Sequence, residues 1–275
     1  MIIDSHLHIW ELTRFHYPWI AQQSAALLRQ TYLPDDIWPQ FKTLGVSGAV
    51  FVQATDLIEE SEWVLSLTER FPWLLGVVGW ADLAAPDIDT VLARLARHPR
   101  YKGVRAGAAA PNWLLDDSVQ PGLRALVKHG LSLDVIAGED ELQLVPELAR
   151  RHPELTIIVD HLGSPATDSG DLNGWQRDLA AAAIHANVVA KMSGLLTQAQ
   201  CDDGALADIG PVVQTALACF GSQRLMYGGD WPVSLLAASY PATVAATQRE
   251  LRDLAPNDAA NIWHATAQRV YRLGQ

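Results

Sequence analysis

Ile2-Ile3-Asp4-Ser5-His6-Leu7-His8-Ile9 opens the chain with an apolar, β-branched run that ends in two histidines. A doubly wound open sheet usually places a glycine-rich phosphate turn directly after its first strand. Histidines in that position turn the reading toward the other parallel architecture, a closed barrel. Seven further runs of the same kind follow, at 47–54, 74–80, 101–105, 131–136, 155–160, 188–193 and 224–229. Segments of helical period lie between and after them, near 35–44, 59–70, 86–97, 117–129, 140–151, 173–186, 205–220 and 241–253. Phe71-Pro72, His98-Pro99 and His152-Pro153 each stop a helix just before a strand, because the residue before proline avoids the α region. Those prolines are 27 and then 54 residues apart, one βα unit and two. Strands that read as continuous apolar runs are buried on both faces, which requires a parallel sheet covered by helices. Eight such units predict an α/β fold, a single (β/α)8 TIM-like barrel spanning 1–275. A last helix over 256–273 carries Ile262, Trp263, Ala267, Val270 and Tyr271 near one face and packs on the barrel exterior or bottom.

The 275 residues hold 20 basic and 31 acidic side chains, a formal charge of −11, which argues against nucleic acid and anionic membranes as partners. Half the chain is apolar, enough for a large core and outside the composition of disordered chains. No signal-peptide pattern opens the sequence, and no apolar run reaches the length of a membrane span. Cys201 and Cys219 then read as free thiols of a cytoplasmic protein.

A barrel places its chemistry at the C-terminal ends of its strands. His6 and His8, two apart on an alternating strand, share a face and make either a metal clamp or a hydrogen-bonded pair in a polar mouth. Strand six ends in Asp160-His161-Leu162-Gly163, and strand eight in Tyr227-Gly228-Gly229-Asp230-Trp231-Pro232. Neutral imidazoles with a carboxylate suit Zn²⁺, so His6, His8, His161 and Asp230 are the candidate ligands; Asp230 alone also reads as a turn acid or helix cap.

Asp4-Ser5-His6-Leu7-His8, Asp160-His161-Leu162-Gly163 and Tyr227 to Pro232, with Gly103-Val104-Arg105 and Lys191-Met192-Ser193-Gly194, resemble the amidohydrolase superfamily over nearly the whole chain. Within it the chain is most similar to the sugar-lactonase branch of L-fuconolactonase- and L-rhamnonolactonase-like enzymes. The resemblance implies a hydrolase that opens the ring ester of an aldonolactone, with at most one divalent ion, zinc preferred, or none. Binuclear members carry a bridging lysine or glutamate on strand four and a histidine on strand five. Here those ends read Val104-Arg105 and Asp134-Val135-Ile136, which argues against two metals.

Ester hydrolysis needs an activated water, a stabilised oxyanion and a proton for the departing alkoxide. Asp230 is the expected proton carrier, with His6, His8 and His161 holding water or polarising the carbonyl. Arg105 either binds the ligand or pairs with an acid such as Asp134, and Lys191 faces the same choice. Trp10, Trp80 and Trp231 at strand ends, with Gln53 on strand two, suit a neutral hydroxylated ring, although tryptophans at such ends also serve as packing. His16, in the long first loop, is within reach of the site. The partner expected is a small lactone, and a homo-oligomer is compatible with the composition. Three other readings stay open: a lactonase for an unsaturated dicarboxylic ring of the pyrone-dicarboxylate or muconolactone type, an amidohydrolase-fold decarboxylase, and a non-catalytic binding protein.

Overall fold

A computed structural model of the chain describes residues 1–22, 26–107, 112–165, 171–198 and 208–274. Eight parallel strands form one sheet in sequence order: β1 Ile2–Leu7, β2 Val46–Val52, β3 Leu74–Gly79, β4 Tyr101–Ala106, β5 Ser132–Val135, β6 Ile157–Val159, β7 Val188–Met192 and β8 Leu225–Tyr227. Seven of the eight stop short of the runs read from sequence at their C-terminal ends. There the chain leaves the ladder, so Gln53, Trp80, Asp160, Ser193 and Asp230 stand on the loops that form the mouth.

The two faces of the strands bury different partners. Ile3, Val50, Val52, Val78, Ile158, Val189 and Met226 fill the barrel interior. Each such side chain, fully buried, contributes roughly 1.5–3 kcal/mol. Leu7, Phe51, Val77, Val104, Leu133 and Val159 face outward into the layer of helices. The helix read over 140–151 is two, Glu139–Leu142 and Val145–Arg151, the second restarting with Pro146 in its first turn, where a missing N–H costs no hydrogen bond. Of the 205–220 helix the described part runs Gly210–Phe220; Cys201 lies outside the described residues, and Cys219 is free.

The C-terminal segment closes the bottom of the barrel. Pro256–Ala260 and Thr266–Val270 flank a widened turn at Asn261–Ala265, and Ala267, Tyr271 and Leu273 pack into the interior layer against Ile3 and Val50.

Strands β1 and β8 close the barrel through few ladder contacts. One bridge joins Leu7 to Trp231, and the His8 N–H donates to Trp231 O at 2.8 Å. Side chains complete the seam. The fully buried Asp4 carboxylate accepts from the N–H groups of Gly229 (2.8 Å) and His6 (3.0 Å) and from the Tyr240 hydroxyl (2.9 Å), while Ser5 Oγ donates to Tyr227 O at 2.6 Å. Among the described residues no helix is long and apolar enough to cross a membrane.

Candidate active site

A register irregularity between Asp4 and Leu7 changes the face that β1 presents. Below it Ile3 points into the core; above it His6 and His8 point into the barrel mouth, their Nε2 atoms 3.2 Å apart. His8 Nδ1 lies 2.8 Å from Val52 O, and since a carbonyl only accepts, that nitrogen carries the proton. The Nε2 of a neutral His8 is then a bare lone pair. It stands 3.3 Å from Asp230 Oδ1, which also lies 3.7 Å from His6 Nε2.

His161 and Asp230 come from strained turns. His161 and Leu162 have φ of 54°, held by the Trp175 indole N–H donating to Leu162 O at 2.7 Å, and Asp230 also has a φ of 54°. Left-handed conformations at such residues cost on the order of 1–3 kcal/mol each and collect at functional sites. Gly194 makes room for both side chains: a Cβ there would fall 2.8 Å from His161 Nδ1 and 3.0 Å from Asp230 Oδ2. Ser193 Oγ sits 2.9 Å from His161 Nδ1 and fixes the ring.

These donors fit one metal ion. His6, His161 and Asp230 each offer a ligand atom, all within 4.8 Å of one another. Acceptors that face one another, as His8 Nε2 and the Asp230 carboxylate do, are stable only with a proton or a cation between them, and imidazole nitrogens with a carboxylate oxygen are zinc donors. Burial lowers the pKa of His6 far below the ordinary range and lowers that of His161, so both are neutral, as ligation requires. Burial works against the charge on Asp230, but a proton carried by the imidazoles around it, His161 first and then His8 and His6, outweighs burial and holds the carboxyl down at about 2.

Beneath His6 lies a buried ionic cluster. Lys191 Nζ approaches Asp134 Oδ2 at 2.5 Å, Asp160 Oδ1 at 3.0 Å and His6 Nδ1 at 3.3 Å. The Tyr271 hydroxyl donates to Asp134 Oδ2 at 2.6 Å, and Arg105 Nε donates to Asp160 Oδ2 at 2.8 Å.

A cavity of about 500 Å³ opens above the imidazoles. His8, His161 and Asp230 lie on its floor, with Trp19, Gln53 and Asp56 among its walls; Arg105 reaches it from β4. Arg105 is the only cation among the described residues that line it, and its guanidinium is already paired with Asp160.

The structure thus brings together His6, His8, His161, Asp230, Arg105 and Gln53. It corrects the expectation for three others. Trp10 is fully buried, donates its indole N–H to Gln30 O and packs edge-on against Trp19 and Tyr32. Trp231 is 2% exposed and packs edge-on on Tyr32. Both are core, because the first loop folds over them. Lys191 lies under His6 with no exposure, not in the cavity. Arg105 pairs with Asp160 and not with Asp134, which Lys191 already holds. Trp80 belongs to an adjoining lobe, and the exposed His16 lends the site only its carbonyl, to Thr55 Oγ1. The sequence reading missed Trp19 and Asp56 as walls and Asp4 as the clamp of the strand-eight turn; Asp4 stands within the quoted motif, but the loop residues carry no local signal.

Comparison with known proteins adds to this geometry. A family model described as amidohydrolase matches residues 3–273. An L-fucono-1,5-lactonase of Burkholderia ambifaria is 32% identical over 278 residues, covering 98% of this chain and 95% of that protein. An L-fucono-1,5-lactonase of Burkholderia multivorans is 33% identical over 285 residues, covering 98% and 96%. The crystal structure of an amidohydrolase from Burkholderia multivorans with bound zinc superposes with a TM-score of 0.92 at 32% identity, covering 99% of each chain.

Proposed function

The chain belongs to the amidohydrolase family, and from that premise we propose that it hydrolyses the ring ester of a sugar-acid lactone to the open aldonic acid. The observation that carries the reading is the cluster of His8, His161 and Asp230, with His6 buried directly behind them, on the floor of a cavity whose other polar walls suit a neutral, hydroxylated ring.

In this reading the lactone lies with its carbonyl over the imidazoles. Asp230, ionised at neutral pH, accepts a proton from the attacking water as its oxygen bonds to the carbonyl carbon. It then returns that proton to the ring oxygen as the carbon–oxygen ester bond breaks. His8, fixed by Val52 O, and His161, fixed by Ser193, hold the geometry around the reacting carbonyl. Gln53 and Arg105 present donors to the ligand's hydroxyls, and Trp19, tied to Ala54 O at 2.6 Å, offers a flat apolar wall. His6, His161 and Asp230, with His8 beside them, would hold a divalent ion, which would supply Lewis-acid polarisation of the carbonyl and a more acidic water.

The cavity argues against the dicarboxylic alternative. A dianion needs several cations, and Arg105 alone, already paired and facing Asp56, does not provide them. A pH-indicator hydrolysis screen over neutral aldonolactones and dicarboxylic lactones, with and without chelator, tests the proposal. Turnover confined to neutral lactones is expected; turnover confined to dicarboxylic lactones, or none in either set, overturns it.

A further inference from the structure

A second lobe of about 330 Å³ adjoins the catalytic cavity and shares Gln53, Asp56 and Arg105 with it. Its remaining walls include Trp80, at the end of β3, Trp113, in the short turn Trp113–Leu115, and Asp82. A single six-carbon lactone, at no more than roughly the 30 Å³ per heavy atom that a water takes in the liquid, fits the catalytic cavity alone. The second lobe is then room that such a substrate leaves unused.

Asp82 Oδ1 accepts from the Ala84 N–H at 2.9 Å and Arg105 is held by Asp160, but the lobe's other polar side chains have no partner among the described residues. Gln53 is only 5% exposed, yet its side-chain amide makes no hydrogen bond among the described residues, and it lines both lobes. An amide this buried is normally satisfied, so an unpaired one facing a cavity points to a ligand. The Asp56 carboxylate receives no donor from the described residues, and the Trp80 and Trp113 indole N–H groups meet no acceptor among them. Burial raises the Asp56 pKa, with Arg105 opposing. With Asp56 and Asp82 against an Arg105 already paired to Asp160, the lobe repels an anionic occupant. Indole faces, carboxylate acceptors and an amide together match one chemistry: a neutral sugar ring, with apolar C–H faces and hydroxyls that both donate and accept.

We propose that this lobe is a subsite for a neutral glycosyl unit attached to the lactone, so that the chain opens lactones of disaccharide aldonic acids. The inference rests on the lactonase reading above and extends its substrate class.

The test compares D-glucono- and D-galactonolactone with the lactones of 4-linked and 6-linked glycosyl aldonic acids, in wild type and in Trp113→Ala. At least one glycosylated lactone should be hydrolysed with a KM about tenfold below that of its unsubstituted parent. Trp113→Ala should raise that KM tenfold or more and change kcat/KM for the parent less than twofold. Should Trp113→Ala fail to fold, Asp82→Ala on the exposed rim should give the same split. Glycosylated lactones that are not hydrolysed, or whose KM equals or exceeds the parent's, overturn the subsite. So does an equal loss on both substrates, which would assign the lobe to the single-ring site. Absence of turnover on every lactone overturns the lactonase reading and this one with it, whereas parent lactones turned over alone overturn only the subsite.

Discussion

Lys191 Nζ stands 2.5 Å from Asp134 Oδ2, both side chains wholly buried inside the barrel. The ammonium also touches Asp160, so a lysine on β7 neutralises an acid on β5 and an acid just beyond β6 and in turn contacts the imidazole of His6. Removing one partner of such a cluster leaves an uncompensated buried charge, at a cost of about 3–5 kcal/mol. Lys191→Met should therefore lose roughly that much stability in urea unfolding, and adding Asp134→Asn should restore part of it. Additive losses in the double variant would show that the pair is not coupled.

The same ammonium fills the place between Asp134 and Asp160 that a second cation would need. Elemental analysis of active protein should find no more than one divalent ion per chain. A reproducible value of two would contradict this arrangement.

Asp230→Asn should lower kcat by about 10² to 10⁴, the usual size of a general-base contribution. Asparagine tolerates the left-handed backbone at this position, and the Asp230 carbonyl still accepts from the Ser234 N–H. Fold and thermal midpoint should stay close to wild type. Activity within about threefold of wild type would remove Asp230 from the chemistry.

Glu60 is buried behind the cavity wall, where its Oε2 accepts from the N–H groups of Ala54 (2.9 Å) and Thr55 (3.4 Å). Burial raises its pKa from 4.5 to about 8 despite those hydrogen bonds. The folded chain then holds a proton that the unfolded chain releases. The stability this brings is complete below the unfolded pKa of 4.5 and is lost as pH rises through about 8. Glu60 should contribute a slope approaching about 1.4 kcal/mol per pH unit within that window. Glu60→Gln keeps an acceptor for both N–H groups and should flatten the profile. An unchanged pH dependence of unfolding would count against the assignment.

The strands were legible because a chain buried on both faces must be apolar on both, a signal that needs no partner to be read. The cluster of His6, His8, His161 and Asp230 was legible for the same local reason, since each stands where an apolar run ends. Burial of Trp10 and Trp231 was not, because it is decided by Tyr32 from a separate loop. The partners of Asp160 were hidden too: Lys191 and Arg105 come from other strands, and only closure of the barrel shows which acid each meets. Arg105 and Asp134 are cross-strand neighbours in register, yet they do not pair, because Asp134 is taken from below by Lys191 and Tyr271.

The seam between β1 and β8 bears on how the protein folds. Asp4 reaches Gly229 across 225 positions of sequence, and Ser5 reaches Tyr227 across 222, whereas every other strand pairs with its neighbour in the chain. Closing so long a loop carries an entropy cost that local βα pairs do not meet, so the seam belongs to the late part of folding. His6 and His8 on one side and Asp230 on the other come together only at that moment. If these residues carry the proposed hydrolysis, an incomplete barrel, however much of its secondary structure has formed, should be catalytically silent, and recovery of activity on refolding should report closure of the ring rather than formation of its parts.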